Sequence, residues 1–167
     1  TVYIGGGNPG LLGAENLSGI LNLACRRGKS REVSMEINPE TLDESFSLLL
    51  DRLTRISIGI QSFDPDCLKI LGRNATVSQC ERALRLLQDF RSDSGLVFNA
   101  DLMMNIPGQT RSSLFSGIER LASYSPEHIS LYSLTFEEGT QLAKTQCPLG
   151  EDEEADNLLR AWEKLES

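Results

Sequence analysis

The chain has 167 residues, 40% hydrophobic and 24% charged, the proportions of an ordinary globular domain with a sizeable core. Its net charge of −8 argues against a general nucleic-acid or anionic-membrane binder, because both need clustered Lys and Arg. No apolar run approaches the roughly 20 residues that cross a bilayer, so no integral membrane segment is expected, and no basic-then-apolar signal segment is visible.

In chain order, apolar β-branched runs at 2–5, 32–37, 55–60, 96–103 and 128–134 alternate with helical patterns. The first helical pattern, 14–27, carries Leu17, Ile20, Leu21 and Ala24 on one face, and Gly28 supplies a stop. The second, 41–53, opens with Thr41 and Glu44 at capping-box spacing. The third, 64–71, starts on Asp64-Pro65 and ends at Gly72. The fourth, 76–90, repeats the capping box with Thr76 and Gln79. The pattern at 110–124 begins with Thr110 as cap, and an acidic helix is expected over 151–166. Strict alternation predicts an α/β fold with parallel strands, and either a doubly wound sheet or a (β/α) barrel fits it. No internal domain boundary is evident, so 1–167 reads as a single domain.

Side-chain parity narrows the choice. Along a strand, neighbours point to opposite faces. Val33, Met35 and Ile37 share one parity, with Glu36 on the other. Ile56, Ile58 and Ile60 oppose Ser57, Gly59 and Gln61, and Phe98, Ala100 and Leu102 oppose Asn99, Asp101 and Met103. The apolar layer belongs under helices. The small and polar layer then faces the inside of a barrel too open to be only a packed core, which predicts a ligand cavity. Polar residues also gather where strands are expected to end: Gly5-Gly6-Gly7, Glu36, Gln61, Asp101 and Thr135. A carboxylate such as Glu36 can receive an ammonium, Arg73 can grip a carboxylate through paired hydrogen bonds, and Gln61 and Asp101 suit hydroxyls. A triple glycine alone is weak evidence, since it lacks dinucleotide-site spacing.

The cysteines Cys25, Cys67, Cys80 and Cys147 are too scattered for a CxxC or CxxxCxxC set, so no metal site is expected within the chain. They read as reduced thiols of a cytoplasmic protein, three of them in predicted helices as small hydrophobes. His128, the only histidine, begins a strand away from the predicted site and is expected to be structural or exposed. A metal-dependent or acid–base barrel built on Glu36 and Asp101 is weakened by the lack of accompanying histidines.

The stretches VYIGGGNPGLL, SMEINPETLD, RISIGIQSFDPDCLKILGR, NADLMMNIPGQT and PEHISLYSLTFEEGTQLA resemble the oxygen-independent coproporphyrinogen III oxidase family of radical S-adenosylmethionine (SAM) proteins, and nearly the whole chain takes part. GIQSF, LGR, PGQT and YSLTFEEGT resemble its HemW-type heme-chaperone branch more than the oxidase. The resemblance implies a partial TIM-like barrel with five of about six parallel strands present. It implies SAM contacts at Gly6, Gly7, Asn8, Glu36, Gln61, Arg73 and Asp101, packing of Met103 on the adenosyl group, and a backbone contact from Thr135 near the adenine. No catalytic residue is assigned. The family places Thr where Asn8 stands and, in the HemW-type branch, often His where Ala75 stands.

The resemblance further implies a [4Fe-4S] cluster on a CxxxCxxC loop. The chain opens on TVYIGGG without a Met, so a fragment is expected, with the cluster cysteines upstream and a further domain downstream. In the family the cluster reduces SAM, and the resulting 5′-deoxyadenosyl radical abstracts hydrogen from porphyrinogen; the HemW-type branch binds and transfers heme. Porphyrinogen or heme and an electron-donor protein are therefore the implied partners. The fragment alone is expected to be inert in radical chemistry and to leave a sheet edge exposed.

Overall fold

The computed structural model describes residues 1–26, 28 and 30–166. Its elements run β1 (Val2–Ile4), α1 (Gly13–Ala24), β2 (Val33–Ile37), α2 (Ser47–Leu50), β3 (Arg55–Gln61), α3 (Pro65–Ile70), α4 (Val77–Ser94), β4 (Val97–Met104), α5 (Arg111–Ala122), β5 (His128–Ser133), α6 (Gln141–Thr145) and α7 (Glu151–Glu166). The Arg27 end expected for the first helix lies outside the described residues.

All the strands pair in parallel, in the order β1-β2-β3-β4-β5. A doubly wound sheet reverses its strand order at a switch point, and this sheet never reverses. The order is that of a barrel wall, which agrees with the expected partial TIM-like barrel. β1 and β5 are the outer strands of the wall.

The parity reading holds residue by residue. Ile56, Ile58 and Ile60 are fully buried, and Val33, Met35, Ile37, Phe98, Ala100 and Leu102 join them in one core. That core is closed by Leu17 and Leu21 of α1, Leu49 and Leu50 of α2, Leu84 and Leu87 of α4, and Leu114, Ile118 and Leu121 of α5. Each such side chain contributes about 1.5–3 kcal/mol by leaving water. The middle strands carry most of this burial, while Val2, Ile4, Ile129 and Leu131 on the outer strands are only partly covered.

Local signals place most helix ends. The Thr76–Gln79 capping box forms at the start of α4. Asp64 caps α3, accepting from the backbone amides of Asp66 and Cys67. Thr110 caps α5 through Ser113. α4 runs past the expected Phe90 to Ser94, and Gly95 ends it in the left-handed conformation at φ 70°.

One predicted helix is corrected. The segment 41–53 forms 3-10 turns at Pro39–Thr41 and Glu44–Phe46, then only the short α2. Thr41 does not cap it. Its hydroxyl donates instead to Asn8 Oδ1 at 3.1 Å and to the Asn38 carbonyl at 3.0 Å. A contact to the loop after β1 has replaced the local one, and Asp43 caps the next turn through the Ser45 amide. The short α6 was not foreseen.

Candidate functional site

The inner face of the sheet is a polar lattice set by strand register. Ser57 of β3, Asn99 of β4 and His128 of β5 lie on one rung, and Gly59, Asp101 and Ser130 lie on the next. Glu36 of β2 pairs with Ser57. Glu36, Ser57, Asn99, Asp101 and Ser130 border an open cleft of about 340 Å³, together with Tyr3 and Arg55. A larger groove of about 750 Å³ runs between α3 and α6, past Lys69, Leu71 and Leu142, but the convergent polar groups are on the wall.

At the β1 side, Glu36 faces the glycine loop. Its Oε2 accepts from the Gly6 amide at 3.2 Å, and its Oε1 accepts from the Tyr3 hydroxyl. That hydrogen bond, followed by burial and the charges of Glu36 and Asp101, pushes the Tyr3 phenol above its ordinary value. Gly6 and Gly7 hold φ of 88° and 82°, a turn that aims the Gly6 amide at the carboxylate.

At the middle, Gly59 creates a cradle. A Cβ there would meet Gln61 Nε2 at 2.9 Å, Arg73 Nη2 at 3.4 Å and Asn38 Oδ1 at 3.6 Å. Arg73 reaches this point from the loop after α3, donating from Nη2 to Asn38 Oδ1 at 2.9 Å and to the Gly59 carbonyl at 3.2 Å. Asn38 is oriented from behind, since its Nδ2 donates to Glu40 Oε1 at 3.1 Å. The other Glu40 oxygen is buried without a hydrogen-bond partner. Negative charge behind Asn38 favours the guanidinium on its far side.

Gln61 shares the parity of Ser57 and Gly59 and stands at a distortion of the strand end. The register shifts between Gly59 and Gln61, so that Gln61 aligns with Leu102, and Gln61 takes φ 65°. Such a bulge re-aims a side chain at the end of a strand. Gln61 Oε1 accepts from the Tyr132 hydroxyl at 2.7 Å. Burial first, then the charge of Asp101, push the Tyr132 phenol upward.

The structure thus gathers Gly6, Glu36, Gln61, Arg73 and Asp101 on one wall. Other candidates are placed differently. Asn8 Oδ1 accepts from Gly10 N at 3.2 Å, Asn38 N at 3.3 Å and Thr41 Oγ1 at 3.1 Å, so it ties the glycine loop to the turn after β2. Met103 is half-buried at the far end of β4, opposite Tyr132, and its carbonyl accepts from Gln109 Nε2 at 3.2 Å. Thr135 is exposed, beyond the end of β5. Gly7 is exposed in its loop.

One placement is corrected: Asp101 stands mid-strand in β4, not at its end, because β4 continues through Met104 by pairing with β5. Asn38, Asn99, Tyr3 and Tyr132 were not singled out from sequence as site residues. Asn99 and Tyr132 carried a usable signal, the same parity as Asp101 and Ser130. Asn38 carried none, because its role depends on where Arg73 returns.

Comparisons with known proteins agree with this architecture. The Radical SAM superfamily matches residues 1–121. The heme chaperone HemW of Haemophilus influenzae is 35% identical over 159 residues, covering 92% of this chain and 40% of its own length. The Escherichia coli heme chaperone HemW is 33% identical over 158 residues, covering 92% of this chain and 41% of its own. Among solved structures, coproporphyrinogen III oxidase (HemN) of Escherichia coli superposes with a TM-score of 0.79 at 20% identity, over 95% of this chain and 38% of that one. Elp3 of Methanocaldococcus infernus gives a TM-score of 0.67 at 21% identity, over 90% of this chain and 42% of that one. The chain therefore spans about two fifths of the length of the curated relatives it matches. It belongs to the radical SAM superfamily, and over most of its length it is similar to heme chaperones HemW.

Proposed function

We propose that the inner wall binds S-adenosylmethionine within a radical SAM protein of porphyrin or heme metabolism. The observation that carries this reading is the cradle at Gly59, where the absence of a Cβ leaves room for Arg73 and Gln61 beside Asp101, with Glu36 one strand away. The charges fit the ligand. Glu36 would receive its ammonium, with the Gly6 and Gly7 backbone close by. Arg73 would hold its carboxylate with the guanidinium edge left over from Asn38 and Gly59. Gln61 and Asp101 would take the ribose hydroxyls, Met103 would pack on the adenosyl group, and Thr135 would border the adenine. When bound and given an electron, S-adenosylmethionine supplies a carbon-centred radical for hydrogen abstraction. The residues of this chain bind it, orient it and keep water from its reactive carbon.

An iron–sulfur cluster does not fit the residues described. No group of three or more His, Cys, Asp or Glu among them could hold a metal. Burial pushes the thiols of Cys67 and Cys80 up to about 11 and about 12, away from the thiolate a metal needs. In this reading the cluster's ligands are not among the described residues.

Calorimetric titration with S-adenosylhomocysteine, which lacks the reactive sulfonium, tests the pocket. The wild-type chain should bind it, and Glu36→Gln or Arg73→Ala should weaken binding about tenfold or more, the loss expected of a charge-assisted hydrogen bond. Variants that bind like wild type would reject the assignment.

For the intact protein two activities follow from the family: porphyrinogen oxidation, or heme binding and transfer. The second is favoured by the relatives above 30% identity, which are named heme chaperones, whereas the oxidase is 20% identical. The only histidine, His128, contacts Asn99 through Nδ1 within the polar lattice, so it is a poor axial ligand. Heme titration of the full-length protein separates the two: turnover of porphyrinogen without stable heme binding rejects the chaperone.

A further inference from the structure

We infer that Asn99 is a positioning residue that aims Asp101 at the ligand's ribose, an inference that rests on the pocket reading above. Asn99 is buried, with 3% of its surface exposed, and every polar atom of its side chain is engaged. Its Nδ2 donates to Asp101 Oδ1 at 2.6 Å and to Ser57 Oγ at 2.7 Å. Its Oδ1 meets His128 Nδ1 and accepts from Ser130 Oγ at 3.1 Å. A primary amide offers two donor hydrogens and two acceptor lone pairs, so these partners saturate it. A carboxylate oxygen only accepts, so the Asn99 nitrogen faces Asp101 and the Asn99 oxygen faces His128 Nδ1 and Ser130.

The partners come from three strands, β3, β4 and β5, which fixes the amide to the sheet itself. Ser57 completes the hold, donating to Asp101 Oδ2 at 3.3 Å. Each carboxylate oxygen therefore receives one hydrogen bond from the rung below. That two-point grip sets the rotation of the carboxylate. It leaves the remaining lone pairs toward the mouth, where two vicinal hydroxyls can donate to them. Sequence alone shows only an Asn two residues before an Asp. The register makes it a lever on the acid.

Calorimetric titration of the full chain with S-adenosylhomocysteine and with its 2′-deoxy counterpart reads this out. Wild type should prefer the ribose form by about tenfold or more, the worth of a hydroxyl bonded to a charged group. Asn99→Asp keeps the size of the side chain and an acceptor for His128 and Ser130. It replaces the N–H aimed at Asp101 by an oxygen, and the preference should collapse to about threefold or less. A side chain that only fills space would weaken both ligands alike and leave the ratio unchanged. A folded Asn99→Asp chain with the wild-type ratio therefore overturns the inference. If that variant does not fold, Ser57→Ala removes the other donor and should lower the ratio about threefold. An unchanged ratio in Ser57→Ala overturns the inference as well. A wild-type chain that binds both forms equally rejects the inference and leaves the pocket standing. One that binds neither form rejects both.

Discussion

Ile58 and Gly59 are neighbours in β3, and they meet opposite demands. Ile58 is fully buried among the helices on the outer face. Gly59 has no side chain, and the space it leaves on the inner face is bordered by Arg73, Gln61 and Asn38. The outer face gains by excluding water, which is non-directional and tolerant of which apolar residue supplies it. The inner face depends on directed hydrogen bonds, each requiring one atom at one distance. The same strand thus supports a layer that holds the chain folded and a layer proposed to bind a ligand. Substitutions on the two faces should therefore fail in different assays.

The largest effect is expected on the outer face. Ile58→Ala should lower unfolding free energy by about 2–5 kcal/mol, measured by urea titration, because the cavity left in a closed core is only partly relieved. Ligand affinity extrapolated to the folded fraction should hold. A loss under about 1 kcal/mol would break the comparison.

On the inner face the order reverses. In Gly59→Ala the new Cβ would stand 2.9 Å from Gln61 Nε2 and 3.4 Å from Arg73 Nη2, so these side chains must move. Binding of S-adenosylhomocysteine should fall about tenfold, while stability changes by less than about 1 kcal/mol. Equal losses in both assays would show that the cradle is packing rather than site.

Alkaline titration sharpens the contrast on the outer face. Burial raises Cys80 from 9.0 to about 12 in the folded chain. A thiol that holds its proton more tightly when folded stabilises fully below pH 9, and this contribution is lost as pH rises toward about 12. Cys80→Ala should flatten that loss in melts recorded between pH 8.5 and 11, values chosen to bracket roughly the free thiol's range. An identical slope in wild type and variant would reject it.

The smallest effect is at the end of α4. Gly95 sits at φ 70°, so Gly95→Ala should cost about 1 kcal/mol in thermal unfolding. It lies before β4, away from the proposed site, and ligand affinity should be unchanged.

The legible and illegible parts of the fold divide along the same line. Alternation along β2, β3 and β4 was readable because parity is a property of the backbone and needs no knowledge of neighbours. Capping at Thr76 was readable because donor and acceptor lie within one turn. The same reasoning failed at Thr41, whose hydroxyl had a better-placed partner in Asn8, a residue 33 positions away. Asp101 was set too close to the strand end, since β4's length depends on pairing with β5.

The sequence by itself determined the order of elements, the apolar face of the middle strands and the family pattern. These are local or periodic properties, and they survive without a neighbour in view. Only the tertiary structure decided which polar residues meet. Its unreversed strand order agrees with the barrel wall that strand parity had favoured. It brought Arg73 back over Gly59, placed Asn38 behind it, and set Asn99 beneath Asp101. Those contacts join residues far apart in the chain, and hydrogen bonds tolerate only a few tenths of an ångström of misplacement.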